Sequence, residues 1–353
     1  DVTWSFLHTP SAIVAACVTV IAVSAALAAP WIAPYDPFDP SQISLWDGKL
    51  PPAWVEGGSS AYLLGTDNQG RDMLSTILYG GRLSIVVGFV AVFLGMLLGV
   101  TLGVISGYLG GKVDAIIMRF ADVQLTIPGI LLAILINGIG RAILPIEMRD
   151  DFAIYVVIIA IGLTDWPQFA RVARGATLVE AQKEYVQSAR VIGLPGWLIM
   201  LRHILPNTLR PILVIATIGL ALAVIAEATL SFLGQGIPPT TPSLGTLIRV
   251  GNEYLFSGLW WITLFPGIAL VVLFCLGIWT TTLLSFLWSI PDVLRMQWFY
   301  QKTLHISDHT LETMPWQKVM TKLIEVHEYD PIIEHTGMFT ELEITNYITR
   351  TSN

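Results

Sequence analysis

The chain has 353 residues, of which 54% are apolar and 13% charged, against roughly 25% charged in an ordinary soluble domain. A water-soluble fold this apolar has nowhere to put its greasy surface, so the bulk of the chain belongs in a bilayer. The net charge of -7 does not suggest a nucleic-acid binder, because a phosphate backbone calls for a basic surface.

A bilayer core takes ~20 predominantly apolar residues per helix. Segments on that scale lie at about 10–33, 83–106, 115–138, 152–166, 211–234 and 259–288. Backbone amides in lipid must be satisfied within their own segment, so these are helices. The expectation is an all-α, polytopic membrane protein with six transmembrane helices and a soluble helical tail. Residues 1–82 read as a first transmembrane helix and an acidic outer loop. Residues 83–288 form the transmembrane core, with a cytoplasmic loop at 167–210, and residues 289–353 are a cytoplasmic tail of separate character. The chain opens at Asp1 without methionine, so a cytoplasmic leader is expected before it. Residues 11–33 are apolar for too long to be a signal-peptide core.

The loops set the orientation. The segment 167–210 carries Arg171, Arg174, Lys183, Arg190, Arg202 and Arg210 against Glu180 and Glu184, and such an excess faces the cytoplasm. Counting crossings from there places both termini inside and the acidic segment 35–82 outside.

In the first span, Cys17 reads as a small core residue, as does Cys275 in the last. In the second span Gly95, Gly99, Gly103 and Gly107 recur every four residues and share one helix face. Small residues there let another backbone approach closely, either within this subunit or from a partner. The fourth span ends at Trp166-Pro167. Beyond it, the run Glu184-Tyr185-Val186-Gln187-Ser188-Ala189-Arg190-Val191-Ile192-Gly193 is a helix broken by glycine. Pro195 follows, and the stretch Arg202-His203-Ile204-Leu205-Pro206-Asn207 continues it. The pattern predicts a helix–turn–helix hairpin, an amphipathic knob suited to a groove in a cytoplasmic partner.

This hairpin resembles the "EAA" loop of ABC importer permeases, E-A-A-x3-G-x9-I-x-L-P. Gln187, Ser188 and Ala189 fall on E-A-A, Gly193 on the glycine, and His203, Ile204, Leu205 and Pro206 on I-x-L-P, with Asn207 next. Gln187 replaces the acid and His203 the isoleucine. The His-Ile-Leu-Pro-Asn form is similar to the dipeptide/oligopeptide/nickel branch. Further similarities to that branch are Gly65-Thr66-Asp67 with Gly70-Arg71-Asp72, Gly107-Tyr108 with Gly110-Gly111 and Asp114, and Met118-Arg119 with Asp122. Glu227-Ala228-Thr229-Leu230-Ser231-Phe232-Leu233-Gly234 and Phe265-Pro266-Gly267 extend the likeness, which covers about residues 5–284. The long acidic loop after the first span resembles the C-type permease subunit.

The resemblance implies a non-catalytic transport subunit of the plasma (inner) membrane that translocates peptides or similar solutes such as nickel complexes. Its implied partners are a second homologous permease, two ATPase subunits, an external solute-binding protein and membrane lipid. ATP and magnesium would sit on the ATPases, with no cofactor or metal in this chain. Consistently, the sequence holds no G-x-x-x-x-G-K-[ST] phosphate loop. The resemblance makes 184–207 the coupling loop.

Charges inside spans are costly and often functional. Arg119 and Asp122 read as two charges near the interface, one snorkelling to water and one bonded to a neighbouring helix, or as liners of the solute path. Glu227 reads as a pairing group at the subunit interface or a gating group, and Trp260-Trp261 as an interfacial anchor. The tail, with His305, His309, His327 and His335, breaks with the rest. Phe299–Ile306, Trp316–Val319 and Thr340–Ile344 resemble a cytosolic segment of the eukaryotic autophagy lipid-scramblase membrane proteins. That resemblance implies a chimaera, and its functional alternative is a membrane scaffold or lipid-handling protein.

Overall fold

The computed structural model describes residues 24–241 and 243–275. Cys17, the start of the first expected span, the end of the last (276–288) and the tail 289–353 lie outside them.

The outer loop before the second span is a built knot. Gly65 and Gly70 take φ of +80° and +79°, a region that glycine enters without a Cβ penalty. The turn lets the Asp67 carboxylate accept from the N–H groups of Gln69 (2.8 Å) and Arg71 (2.9 Å) and from Arg71 Nε (2.7 Å). Both side chains are buried, and such a pair is tolerated because its charges are matched and hydrogen-bonded. The Thr66 carbonyl accepts from Trp261 Nε1 at 3.2 Å. Trp261 is therefore a buried structural contact, and of the Trp260-Trp261 pair expected as an interfacial anchor only Trp260 is exposed.

Asp72 accepts the Ser75 N–H at 2.8 Å and caps α1, Met73–Leu109, which thus begins at Met73 and not at 83. At about 1.5 Å per residue it is roughly 55 Å long, well beyond a hydrocarbon core of ~30 Å. After Gly110, α2 (Gly111–Leu125) and α3 (Gly129–Ile143) meet at a 97° bend. The straight span expected at 115–138 is therefore a broken pair. Pro128 has no N–H to donate and disfavours helical geometry at the residue before it, which is where the break falls.

The fourth span does not end at Trp166-Pro167. Helix α4 runs Arg149–Glu180 with Pro167 inside it. Proline at 167 strips the Leu163 carbonyl of its usual donor, and the Gln124 amide of α2 supplies one at 2.7 Å. The same Gln124 accepts from Trp166 Nε1 at 2.9 Å. With its freed carbonyl satisfied from a neighbouring helix, the proline is accommodated. Residues 167–180, expected in a loop, are helical, and α4 at about 48 Å outreaches the bilayer.

Helix α5 (Glu184–Val191) follows. Gly196–Ile199 and a π-turn, Met200–Ile204, then lead into α6, Leu205–Phe232. Helix α7 (Leu244–Tyr254) is capped by Ser243, and α8 is Trp261–Cys275. Among the described residues three helices are long and apolar enough to cross a membrane, and a fourth crossing arises if α2 and α3 count as one span. One buried apolar cluster joins Val87 and Val100 of α1, Ile161 and Phe169 of α4, Val186 of α5 and Leu230 of α6.

Candidate functional site

The hairpin is anchored at its base and bare at its tip. Gly193 ends α5 at φ +83°, with Gly193 N–H donating to Arg190 O (3.0 Å) and Leu194 N–H to Ala189 O (3.1 Å). This is a left-handed helix stop that glycine favours. Ala189, Val186, Ile199 and Ile204 are buried against the bundle. Gln187 and Ser188 are exposed, Gln187 donating to Gln182 O at 2.9 Å. At the tip Val191 is 88% and Ile192 77% exposed.

The base is tied to three helices. Tyr185 Oη donates to the Glu180 carboxylate at the end of α4 and accepts from Asn207 Nδ2 of α6 at 3.0 Å. Asn207 also donates to His203 O at 2.9 Å. The His203 ring lies 6.4 Å from that of Tyr185 in a stacked arrangement. Lys183 reaches Glu180 at 2.9 Å, and the Arg190 guanidinium lies 4.8 Å over the Tyr108 ring of α1. Burial, and then the Glu180 hydrogen bond, push the Tyr185 phenol up to about 12. Leu205 is half-buried and Pro206 exposed in the first turn of α6. Tyr185, Glu180 and Tyr108 appear in the sequence only within longer motifs or a charge count, and their contacts were not legible there because no helical spacing connects them.

The glycine face is spent inside the chain. A Cβ at Gly95 would lie 3.0 Å from the Gly162 carbonyl oxygen, at Gly99 2.4 Å from that of Trp166 and at Gly103 2.4 Å from that of Ala170. At Gly107 it would meet Thr177 Cβ at 2.8 Å. All four therefore face α4, not a partner subunit.

Of the two charges expected near the interface, one is bonded to a neighbouring helix and the other is left exposed. Asp122 pairs with Arg171 of α4 at 2.6 Å, and Arg119 is exposed. One turn further along α4, Arg174 clasps Asp114 through two bonds of 2.5 and 2.7 Å, with Ser106 Oγ donating to the same carboxylate at 2.5 Å. Charges one turn apart on α4 and about two turns apart on α2 thus staple the two helices. Glu227 is not at any surface. It is 0% exposed and accepts from Ser84 Oγ of α1 and Ser231 Oγ, each at 2.7 Å. On this geometry Glu227 is an internal latch between α1 and α6, which corrects its placement at a subunit interface.

A bundle of membrane-length helices carrying a short helical hairpin defines a polytopic membrane protein. The model of the binding-protein-dependent transport system inner membrane component matches residues 99–289, and the chain belongs to that family. Residues 1–52 match the N-terminal TM domain of oligopeptide transport permease C, and residues 252–353 match the autophagy protein ATG9. The dipeptide transport system permease protein DppC of Haemophilus influenzae is 40% identical over 268 residues, covering 76% of this chain and 86% of the relative. DppC of Escherichia coli K12 is 42% identical, over 76% of this chain and 84% of its own length. The di/tripeptide permease protein DppC of Pseudomonas aeruginosa is 34% identical, with coverages of 76% and 84%. An inward-facing structure of the MetNI methionine ABC transporter has 20% identity and a TM-score of 0.48, covering 60% of this chain and 94% of that one. The chain is a multi-pass inner-membrane permease of an ABC transport system, and the scaffold or lipid-handling alternative is not favoured.

Proposed function

We propose that this permease carries dipeptides or closely similar solutes inward, and that the hairpin 184–207 seats in a partner ATPase. The observation that carries the reading is the hairpin itself, with apolar Val191 and Ile192 bare at the tip and a base bonded to α1, α4 and α6. Exposed apolar side chains on a rigid knob outside the bilayer call for a groove to cover them. In this reading Gln187, Ser188, Ala189, Gly193, His203, Leu205, Pro206 and Asn207 form or hold the coupling element. ATP and magnesium act on two partner ATPases, a second homologous permease completes the pathway, and an external binding protein delivers the solute. Both termini and the hairpin face the cytoplasm, in keeping with the basic residues of 167–210. Peptide cargo is supported by the DppC relatives' own transport assignments.

The test is purification of the complex in gentle detergent, with mass spectrometry of what accompanies the chain. Recovery of a homologous permease and of ATPases, with the ATPases lost when residues 187–193 are deleted, is the expected result. Full ATPase recovery with that deletion would overturn the docking role.

A further inference from the structure

Asp165 is a carboxylate inside a membrane-crossing helix with no ion pair or hydrogen bond among the described residues. It lies about 24 Å along α4 from Arg149 and about 9 Å short of Arg171 at 1.5 Å per residue. It lines a cavity of about 200 Å³ between α3, α4 and α6. The rest of the wall is apolar, including Ala133, Ile161, Ala226 and Leu230, except for Thr164. The Thr164 hydroxyl is already committed to Ala160 O at 2.7 Å. The nearest cations on the same helix are committed too, Arg171 to Asp122 and Arg174 to Asp114. The bend between α2 and α3 sets Gly129 and Ile130 into the same wall, and broken helices inside a bilayer mark solute sites in other transporters.

An acid in an apolar wall is costly unless something cationic meets it. The cavity can hold several waters, so it has room for an ammonium group and the carbon that bears it. We propose that Asp165 is a solute-contacting carboxylate of the translocation path, holding the ammonium terminus of a peptide in transit. The identity of the cargo rests on the peptide reading above; the ammonium site does not.

The test uses the complete transporter in vesicles. Uptake of labelled dialanine is compared for the unaltered chain, D165N and D165E. Loss of a charge-assisted contact is expected to lower uptake by D165N at least about tenfold, with D165E keeping most of it. In parallel, a hydrophobic carbodiimide is applied to the unaltered complex and modification of residue 165 is read by mass spectrometry. Alaninamide is expected to suppress that labelling and N-acetylalaninamide to leave it, with the fully buried Glu227 unlabelled. D165N uptake equal to the unaltered protein, no labelling at 165, or labelling that alaninamide fails to suppress would each overturn the assignment. If the unaltered transporter takes up no dipeptide, the peptide reading falls, and the labelling alone decides whether Asp165 holds an ammonium. The labelling decides equally if D165N fails to assemble.

Discussion

Gln124→Leu is the most informative single change to the bundle. It removes the donor that reaches the Leu163 carbonyl at 2.7 Å and the acceptor for Trp166 Nε1 at 2.9 Å. Neither group has water to turn to in the hydrocarbon region, and an orphaned buried polar group costs about 1–3 kcal/mol. The expected loss is therefore about 2–6 kcal/mol. Pro167→Ala in the same chain supplies a new N–H at 167 for the Leu163 carbonyl, leaving only the indole unpaired, so about 1–3 kcal/mol should return. The assay is thermal or detergent-induced unfolding of the purified complex for all four members of the cycle. The Gln124→Leu/Pro167→Ala chain should be more stable than Gln124→Leu alone, although Pro167→Ala by itself should change little. A double variant no more stable than Gln124→Leu would refute the account of how α4 accommodates its proline, because the two residues would then be energetically independent.

Two further outcomes follow from the geometry. Gly99→Leu places a branched side chain where even a Cβ would lie 2.4 Å from the Trp166 carbonyl oxygen and 2.6 Å from Phe169 Cβ. Helices α1 and α4 must part, costing about 3 kcal/mol or more, so the complex should fail to accumulate in membranes, while Gly110→Ala, with no atom within 4 Å of its Cβ, suffers only its positive φ; equal accumulation of Gly99→Leu and the unaltered chain counts against this packing. Tyr185→Phe keeps the ring but loses the bonds to Glu180 and Asn207, worth about 1–1.5 kcal/mol, and in reconstituted vesicles transport per ATP hydrolysed should fall about five- to tenfold with the complex intact. The Tyr185 phenol is raised to about 12 by burial and by Glu180. Its stabilisation is thus complete below the unfolded value near 10 and fades only as pH climbs towards 12. The ratio of transport in the two chains should therefore be flat from pH 6 to 9, and a ratio that changes with pH in that window assigns the effect to another group.

The hairpin was legible because its signals are local. Gly193 and Pro195 stop and restart a helix within a few residues, and the alternation of buried Val186 and Ala189 with exposed Gln187 and Ser188 is a periodicity on the chain itself. The glycine face of α1 was legible as a face, but not as to what it meets, since a four-residue spacing carries no information about the partner. Pro167 shows where local rules mislead. The rule that proline removes a helix donor holds at this site, yet the helix continues because Gln124, on another element, fills the gap. In the same way Arg171 and Arg174 counted as loop charges until α4 extended past Pro167 and brought them onto Asp122 and Asp114.

The acids inside α4 and α6 sharpen the point. Glu227, within the Glu-Ala-Thr-Leu-Ser stretch, read as a pairing or gating group, and Asp165, beside what read as a helix end, drew no notice. The bundle reverses them. Ser84, far away on α1, and Ser231, one turn along α6, supply Glu227 with hydroxyl donors, so its burial is compensated from within and it needs no ligand. Asp165 has become mid-helix because Pro167 did not end α4, and no side chain among the described residues compensates it. A carboxylate whose desolvation is met by its own fold contributes to architecture. One whose desolvation is left open favours a cationic visitor, and the structure leaves that role to Asp165.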